Sequence, residues 1–146
     1  MRSILEVTNS KENIMLRGMC TSSFYAADLD AANAWYSDLF GIEPYYVVPN
    51  GYIEWRIGDH QGEFGIVNAA YANPGQVDAP AGAVIYWAVD DVESALATLI
   101  EKGAIPYQPV TARGEGFVTA AVVDPFGNIL GVMFNQHYLD EVAASR

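Results

Sequence analysis

Glu54 and Glu63 flank a short turn, Gly58-Asp59-His60-Gln61-Gly62, that carries one of the two histidines, and His137 follows the last apolar run. Carboxylates and imidazoles do two kinds of chemistry: they hold divalent ions, or they move protons. A metal centre needs about three such groups converging. His60 in a turn and His137 beyond a strand read instead as solvated side chains. Asp90-Asp91 fit a helix entry, where the dipole favours negative charge. Cys20, the single cysteine, stands beside Thr21 in a strand-like stretch. It can form no internal disulfide, and it reads as a buried, inert thiol rather than a nucleophile. No dinucleotide fingerprint, phosphate loop or nucleophile elbow is present. No catalytic constellation emerges, and catalytic residues remain unassigned.

The elements that must position these groups repeat along the chain. Residues 1–18 show no period and read as an N-terminal arm. Met19 to Ala27 reads as a strand, after which Asp28 caps a helix with Ala31, Ala34, Trp35 and Leu39 at helical spacing and Gly41 as its left-handed stop. Strands follow at Ile42 to Val48, Tyr52 to Ile57 and Glu63 to Ala69, with Pro49-Asn50-Gly51 as the hairpin between the first two. The order then recurs. Residues 73–81 carry Pro and Gly between apolar runs and read as a linker. Gly82 to Val89 is a strand, and Asp91 caps a helix with Val92, Ala95, Leu96 and Leu99 on one face, closed by Lys102 and Gly103. Strands at about Ile105 to Thr111, Gly116 to Val123 and Ile129 to Asn135 complete it, the last two joined by Asp124-Pro125-Phe126-Gly127-Asn128.

Residues 19–72 and 82–136 thus form two βαβββ modules, and 137–146 a tail or short helix. Each helix is apolar on one stripe, so it covers one sheet face and leaves the other free. Curling the free face makes a trough, and two troughs together enclose a concave site of the kind small ligands use. The expected class is α+β: tandem βαβββ modules forming a curved mixed sheet around a central cavity, with helices on the outer face.

Composition narrows the partners. A chain of 146 residues, 51% hydrophobic, builds a sizeable core. Eighteen acidic residues against seven basic ones give a formal charge of −11, which repels phosphate backbones and argues against nucleic acid. No apolar run approaches the ~18 residues of a membrane span, and Met1 to Glu6 lacks a signal peptide's apolar core. No membrane partner and a cytoplasmic location are the expectations.

The two modules, with Asp28-Leu29-Asp30 before a Trp35-Tyr36 helix, Leu39-Phe40-Gly41-Ile42 after it, and Asp124-Pro125-Phe126-Gly127-Asn128 before the last strand, closely resemble the vicinal oxygen chelate superfamily. That group includes glyoxalase I, bleomycin-resistance proteins and extradiol dioxygenases, and the resemblance spans Met19 to Gln136. It implies that a divalent ion, if present, is held by His, Glu or Gln from the first and last strand of each module. The corresponding positions are Thr21, Val84 and Gly131, with Ile66 as the fourth by analogy. They offer one weak hydroxyl, so the resemblance implies a member with no metal and no cofactor.

The family's orientation, combined with strand alternation, puts Thr21, Ser23 and Tyr25 in the trough, with Tyr52, Glu54 and Arg56 beside them. Ile53, Trp55 and Ile57 then face the helix. In the second module Val84, Tyr86, Phe117, Thr119, Ala121, Ile129, Gly131, Met133 and Asn135 face inward. The ligand-binding expectation is Tyr25, Tyr52, Glu54, Arg56, Tyr86, Phe117, Thr119, Met133 and Asn135; Tyr45 and Tyr46 alternate, so one of them joins. Aromatic faces and an acid suit a small aromatic or cationic organic molecule. The resemblance implies a binding protein, as a homodimer. The alternative is an enzyme of the same fold, a lyase, isomerase or dioxygenase with a displaced metal site, or a metal-free acid–base catalyst using Glu54.

Overall fold

The computed structural model describes residues 15, 17, 19–72, 80 and 82–145. The arm at 1–18 and the linker at 73–81 lie largely outside the described residues. The first module runs β1 (Thr21–Ala26), α1 (Leu29–Phe40), β2 (Tyr46–Val48), β3 (Tyr52–Ile57) and β4 (Gly62–Asn68), and ends in a short 3-10 turn at Ala69–Tyr71. The second runs β5 (Ile85–Ala88), α2 (Val92–Glu101), β6 (Ile105–Gly114), β7 (Phe117–Val123) and β8 (Ile129–Asn135), followed by α3 (Gln136–Ala144). The expected strand at Ile42 to Val48 shrinks to three residues, since the chain leaving α1 must first turn back before it can pair with β3.

Caps form as the sequence dictates. The Asp28 and Asp91 carboxylates accept from the Ala31 and Ser94 amides, satisfying otherwise orphaned helix N–H groups. Gly41 ends α1 at φ 74°, where a side chain would be strained.

Each module makes one four-stranded mixed sheet, in the orders β1-β4-β3-β2 and β5-β8-β7-β6. β1 runs parallel to β4, and β5 to β8; the other pairs are antiparallel. The expected α+β tandem architecture is present. The two sheets are separate and unclosed, so the single curved sheet exists as two open halves.

The halves join through their helix-side faces. Phe24, Ile53, Trp55, Phe64 and Ile66 from the first sheet share one apolar core with Ala120, Val122, Leu130 and Val132 from the second. Trp87 sits across the seam, 5.4 Å from both the Phe40 and Phe64 rings. Polar bonds fix the register of the two modules. The Tyr36 hydroxyl donates to Asp124 Oδ2 at 2.5 Å, and the Trp35 indole donates to the Lys102 carbonyl at 2.9 Å. Asn128 mimics a strand neighbour: its Oδ1 accepts from the Tyr25 amide at 3.1 Å while its Nδ2 donates to the Tyr25 carbonyl at 2.8 Å.

Candidate functional site

With the helix sides buried, alternation turns the other set of side chains onto the free faces. In the first sheet, residues opposite one another in register share a face. Thr21 pairs with Glu63 and Glu63 with Arg56; Ser23 pairs with Gly65 and Gly65 with Glu54; Tyr25 pairs with Val67 and Val67 with Tyr52. The free face therefore carries Thr21, Ser23, Tyr25, Tyr52, Glu54, Arg56, Glu63, Gly65 and Val67. Ile53 and Trp55 are buried on the other face, where the Trp55 ring lies 5.4 Å from Phe40 of α1.

On this face a connected polar cluster forms. Glu54 accepts from the Tyr52 hydroxyl at 2.6 Å and also from the Tyr45 hydroxyl. The Arg56 guanidinium lies 5.2 Å from the Tyr45 ring centroid, and one of its nitrogens is 3.1 Å from Glu63 Oε1. The other Glu63 oxygen accepts from the Thr21 hydroxyl at 2.9 Å. Tyr46 adds its ring 6.4 Å from that of Tyr52. Both tyrosines thus join the cluster, because Tyr45 lies in the bend before β2 and escapes the strand's alternation. Loss of solvent raises the pKa of Glu54, the nearby Glu63 charge raises it further, and Arg56 opposes both. The Tyr52 phenol is raised by loss of solvent and then by Glu63, against a hydrogen bond with Ser23.

The second sheet's free face is more closely filled. The Tyr86 hydroxyl donates to Gln108 at 2.9 Å, and Arg113 Nε donates to the Thr119 hydroxyl at 3.1 Å. Asn135 caps α3 by accepting from the Tyr138 amide and also reaches the Met133 sulfur at 3.7 Å. Phe117 is half-buried and pairs in register with Asn135. The nine expected ligand-binding residues thus fall on two faces: Tyr25, Tyr52, Glu54 and Arg56 on the first, and Tyr86, Phe117, Thr119, Met133 and Asn135 on the second.

Two expectations need correction. Ile66 does not face the trough: it is buried in the core, opposite Phe24 and Ile53. The trough residue is Gly65, one position earlier, because the first module's turn differs in length from the Asp-Pro-Phe-Gly-Asn turn by which Ile66 was placed. Cys20 is exposed rather than buried: the strand expected from Met19 begins only at Thr21, and Cys20 lies just outside it. Its sulfur lies 4.0 Å from Glu63 Oε2. Glu63 and Gly65 were missing from the expected ligand set, and Tyr45 and Tyr46, of which one was expected, both join. Alternation of Phe64 and Ile66 with Glu63, Gly65 and Val67 carried the signal for the first two.

Gly65 and Gly131 occupy matching places. Each is central on its sheet's parallel pair, and a tyrosine fills the space above it. A Cβ on Gly65 would overlap the Tyr52 hydroxyl, and one on Gly131 would meet Tyr86 Cδ1 at 2.6 Å. With this correction, the positions at which the resemblance implied metal ligands are Thr21, Gly65, Val84 and Gly131, and they supply a single hydroxyl. Glu63, opposite Thr21, and Glu54, opposite Gly65, are the carboxylates on that face, and both oxygens of each are engaged. Among the described residues no three His, Cys, Asp or Glu side chains come together as metal ligands. This donor set does not fit a divalent ion, which wants about three imidazole or carboxylate ligands. His60 packs its ring edge against Tyr138 at 5.8 Å, and His137 is exposed, 3.8 Å from Glu141.

Away from the troughs, an apolar cleft of about 280 Å³ lies between the end of α1 and α2, lined by Leu39, Phe40, Trp87, Ala95 and Leu99 among others. A second cleft, of about 220 Å³ and of mixed polarity, lies between the β3–β4 turn, β5 and Tyr138 of α3, and its lining includes Glu63 and Tyr86 from the two trough faces. No helix among the described residues is long and apolar enough to cross a membrane.

Paired βαβββ modules, each with one helix-covered and one open sheet face, define a known class of small α+β proteins. The chain belongs to the Glyoxalase/Bleomycin resistance protein/Dioxygenase superfamily, whose family model matches residues 19–132. Among solved structures it is similar to a glyoxalase-related enzyme from Fulvimarina pelagi, with a TM-score of 0.66 and 20% identity over 83% of this chain and 90% of that one. It is also similar to lactoylglutathione lyase from Agrobacterium tumefaciens, with a TM-score of 0.63 and 21% identity over 83% and 96%. A bleomycin resistance determinant encoded on the transposon Tn5 has a TM-score of 0.58 and 19% identity over 82% and 98%. At these identities the likeness establishes the fold alone. No curated protein matches the sequence significantly.

Proposed function

We propose that the protein binds a small aromatic or cationic organic molecule on its trough faces without a metal, as a binding protein rather than an enzyme. The observation that carries this reading is the pairing of an acidic, tyrosine-rich cluster around Glu54 with glycines at the strand positions where metal ligands would stand. Tyrosine offers large, stiff contact area, and its ring face attracts cations. A homodimer completes the site. The edge strands of the two sheets, β2 with Tyr46, Val47 and Val48 and β6 with Ile105 and Tyr107, expose apolar side chains suited to cover by a second copy.

Titration with a panel of flat organic cations and neutral aromatics, followed by intrinsic fluorescence, tests the reading. Saturable quenching that survives a strong chelator is expected. No response across the panel, or a stoichiometric tightly held metal in protein purified without chelator, overturns it. Sedimentation analysis tests the dimer.

One observation favours a second reading. Glu54, its pKa raised and two phenols beside it, is equipped to take a proton while a tyrosine stabilises developing negative charge. Metal-free isomerase activity abolished by Glu54→Gln would establish that reading over simple binding.

A further inference from the structure

The proposed ligand site already contains a cation. Arg56 is exposed, yet its guanidinium meets both recognition elements of the first trough: the ring face of Tyr45 and the carboxylate of Glu63. Glu54 stands on the same face and feels Arg56 and Glu63 with opposite signs. A planar nitrogen cation thus lies against one aromatic face and one carboxylate, with a second carboxylate on the same sheet face, and is held there by a flexible tether.

We infer, building on the trough as ligand site, that Arg56 is an internal stand-in for the ligand, and that the ligand is an aryl amidinium or aryl guanidinium. Its charged group displaces Arg56 from Glu63 and Tyr45, and its ring lies along the tyrosines Tyr45, Tyr46 and Tyr52. Displacement is required because Arg56 holds one Glu63 oxygen and covers the Tyr45 ring; the other oxygen keeps the Thr21 hydroxyl and has a lone pair left for a second donor. Displacement is easy because an exposed ion pair and an exposed cation–π contact are each weak. A planar cation is favoured over a primary ammonium because two parallel N–H groups match a carboxylate while the flat group stacks on a ring. The displaced Arg56 swings into solvent on its aliphatic stem. Arg56 therefore acts as a specificity filter: any ligand must outcompete a tethered guanidinium, which turns away weakly bound monovalent cations.

Calorimetric titration of wild-type protein and Arg56→Gln with benzamidine, benzylamine and neutral benzamide provides the test, with circular dichroism to confirm folding. Benzamidine should bind Arg56→Gln about tenfold more tightly than wild type, a difference of about 1.4 kcal/mol. It should bind more tightly than benzylamine, and Glu63→Gln should weaken it. Binding to Arg56→Gln with none detectable to wild type also supports the stand-in. Equal or weaker binding to Arg56→Gln overturns the stand-in while leaving the trough a cation site. Binding of benzamide with no response to benzamidine overturns the ligand class but leaves an aromatic site. Failure of all three probes on both proteins overturns this inference and counts against the binding reading as well.

Discussion

Tyr36→Phe removes one oxygen from a fully buried side chain and tests whether the two modules are riveted within the chain. That oxygen donates to Asp124 Oδ2 at 2.5 Å, and Asp124 is only 2% exposed. Oδ1 keeps the Phe126 amide at 2.9 Å and the Asn128 amide at 2.8 Å, whereas Oδ2 keeps only the Asn128 side chain at 3.0 Å. A hydrogen bond to a charged group contributes about 1.5–3 kcal/mol, and the surviving partner on Oδ2 places this one near ~2 kcal/mol. With a urea slope of about 2 kcal/mol per molar, the unfolding midpoint should fall by about 1 M at pH 7.

The pH dependence has a definite sign. Burial raises the Asp124 pKa above its ordinary 3.8, and the Tyr36 hydroxyl and the Asn128 and Phe126 groups oppose it. The native state therefore takes up this proton at higher pH than the unfolded chain. The contribution of Asp124 becomes more favourable as pH falls through its folded pKa toward its ordinary value. Losing the hydroxyl raises the folded pKa further, so the variant is relieved first and its deficit narrows as the pH is lowered from neutral toward the ordinary Asp range. Urea melts of wild type, Tyr36→Phe, Asp124→Asn and the double variant at neutral pH and along this acid series form a cycle. A coupling below about 0.5 kcal/mol at pH 7, or a deficit that widens at low pH, would refute the reasoning.

Asn128→Asp keeps an acceptor for the Tyr25 amide but removes the donor to its carbonyl and sets a second carboxylate against Asp124. It should destabilise by about 2 kcal/mol or more, read as a lowered urea midpoint. Gly131→Ala drives a Cβ against Tyr86 and, at 2.9 Å, the Ile85 carbonyl, and should cost about 1–3 kcal/mol. Gly65→Ala should cost less, because what it meets is the movable end of Tyr52; its mark should instead be weakened cation binding as Tyr52 is pushed off Glu54. Cation binding should fade as acid is added, from a pH above the ordinary Glu range, because the raised Glu54 pKa lets that carboxylate take up a proton early. Glu54→Gln should flatten this profile.

The fold was legible because its signals are local. Asp28 and Asp91 as caps, Gly41 as a stop, and the alternation of Ile53, Trp55 and Ile57 with Tyr52, Glu54 and Arg56 each follow from residues within one element. The Asp-Pro-Phe-Gly-Asn turn was equally visible as a turn. Its second role was not: Asp124 and Asn128 reach across to Tyr36 and Tyr25, and nothing in a stretch of five residues names partners that distant. That long-range use gives the motif a physical reason beyond bending the chain, because Asp124 draws the second module onto α1 and Asn128 ties it to β1.

The candidate site was less legible because it depends on register between strands. Counting four residues past a glycine placed Ile66 in the trough, and pairing with Phe24 and Ile53 moves it to the core and brings Gly65 to the surface. A shift of one residue exchanges the faces of a strand, so the same step that removes an apolar side chain from the trough delivers Glu63 to it. Glu63 then engages Arg56 and adds its charge to burial in raising the Glu54 pKa. The two glycines take on a different meaning in that light. Each leaves room for a tyrosine, in one module to steady an acid and in the other to meet Gln108.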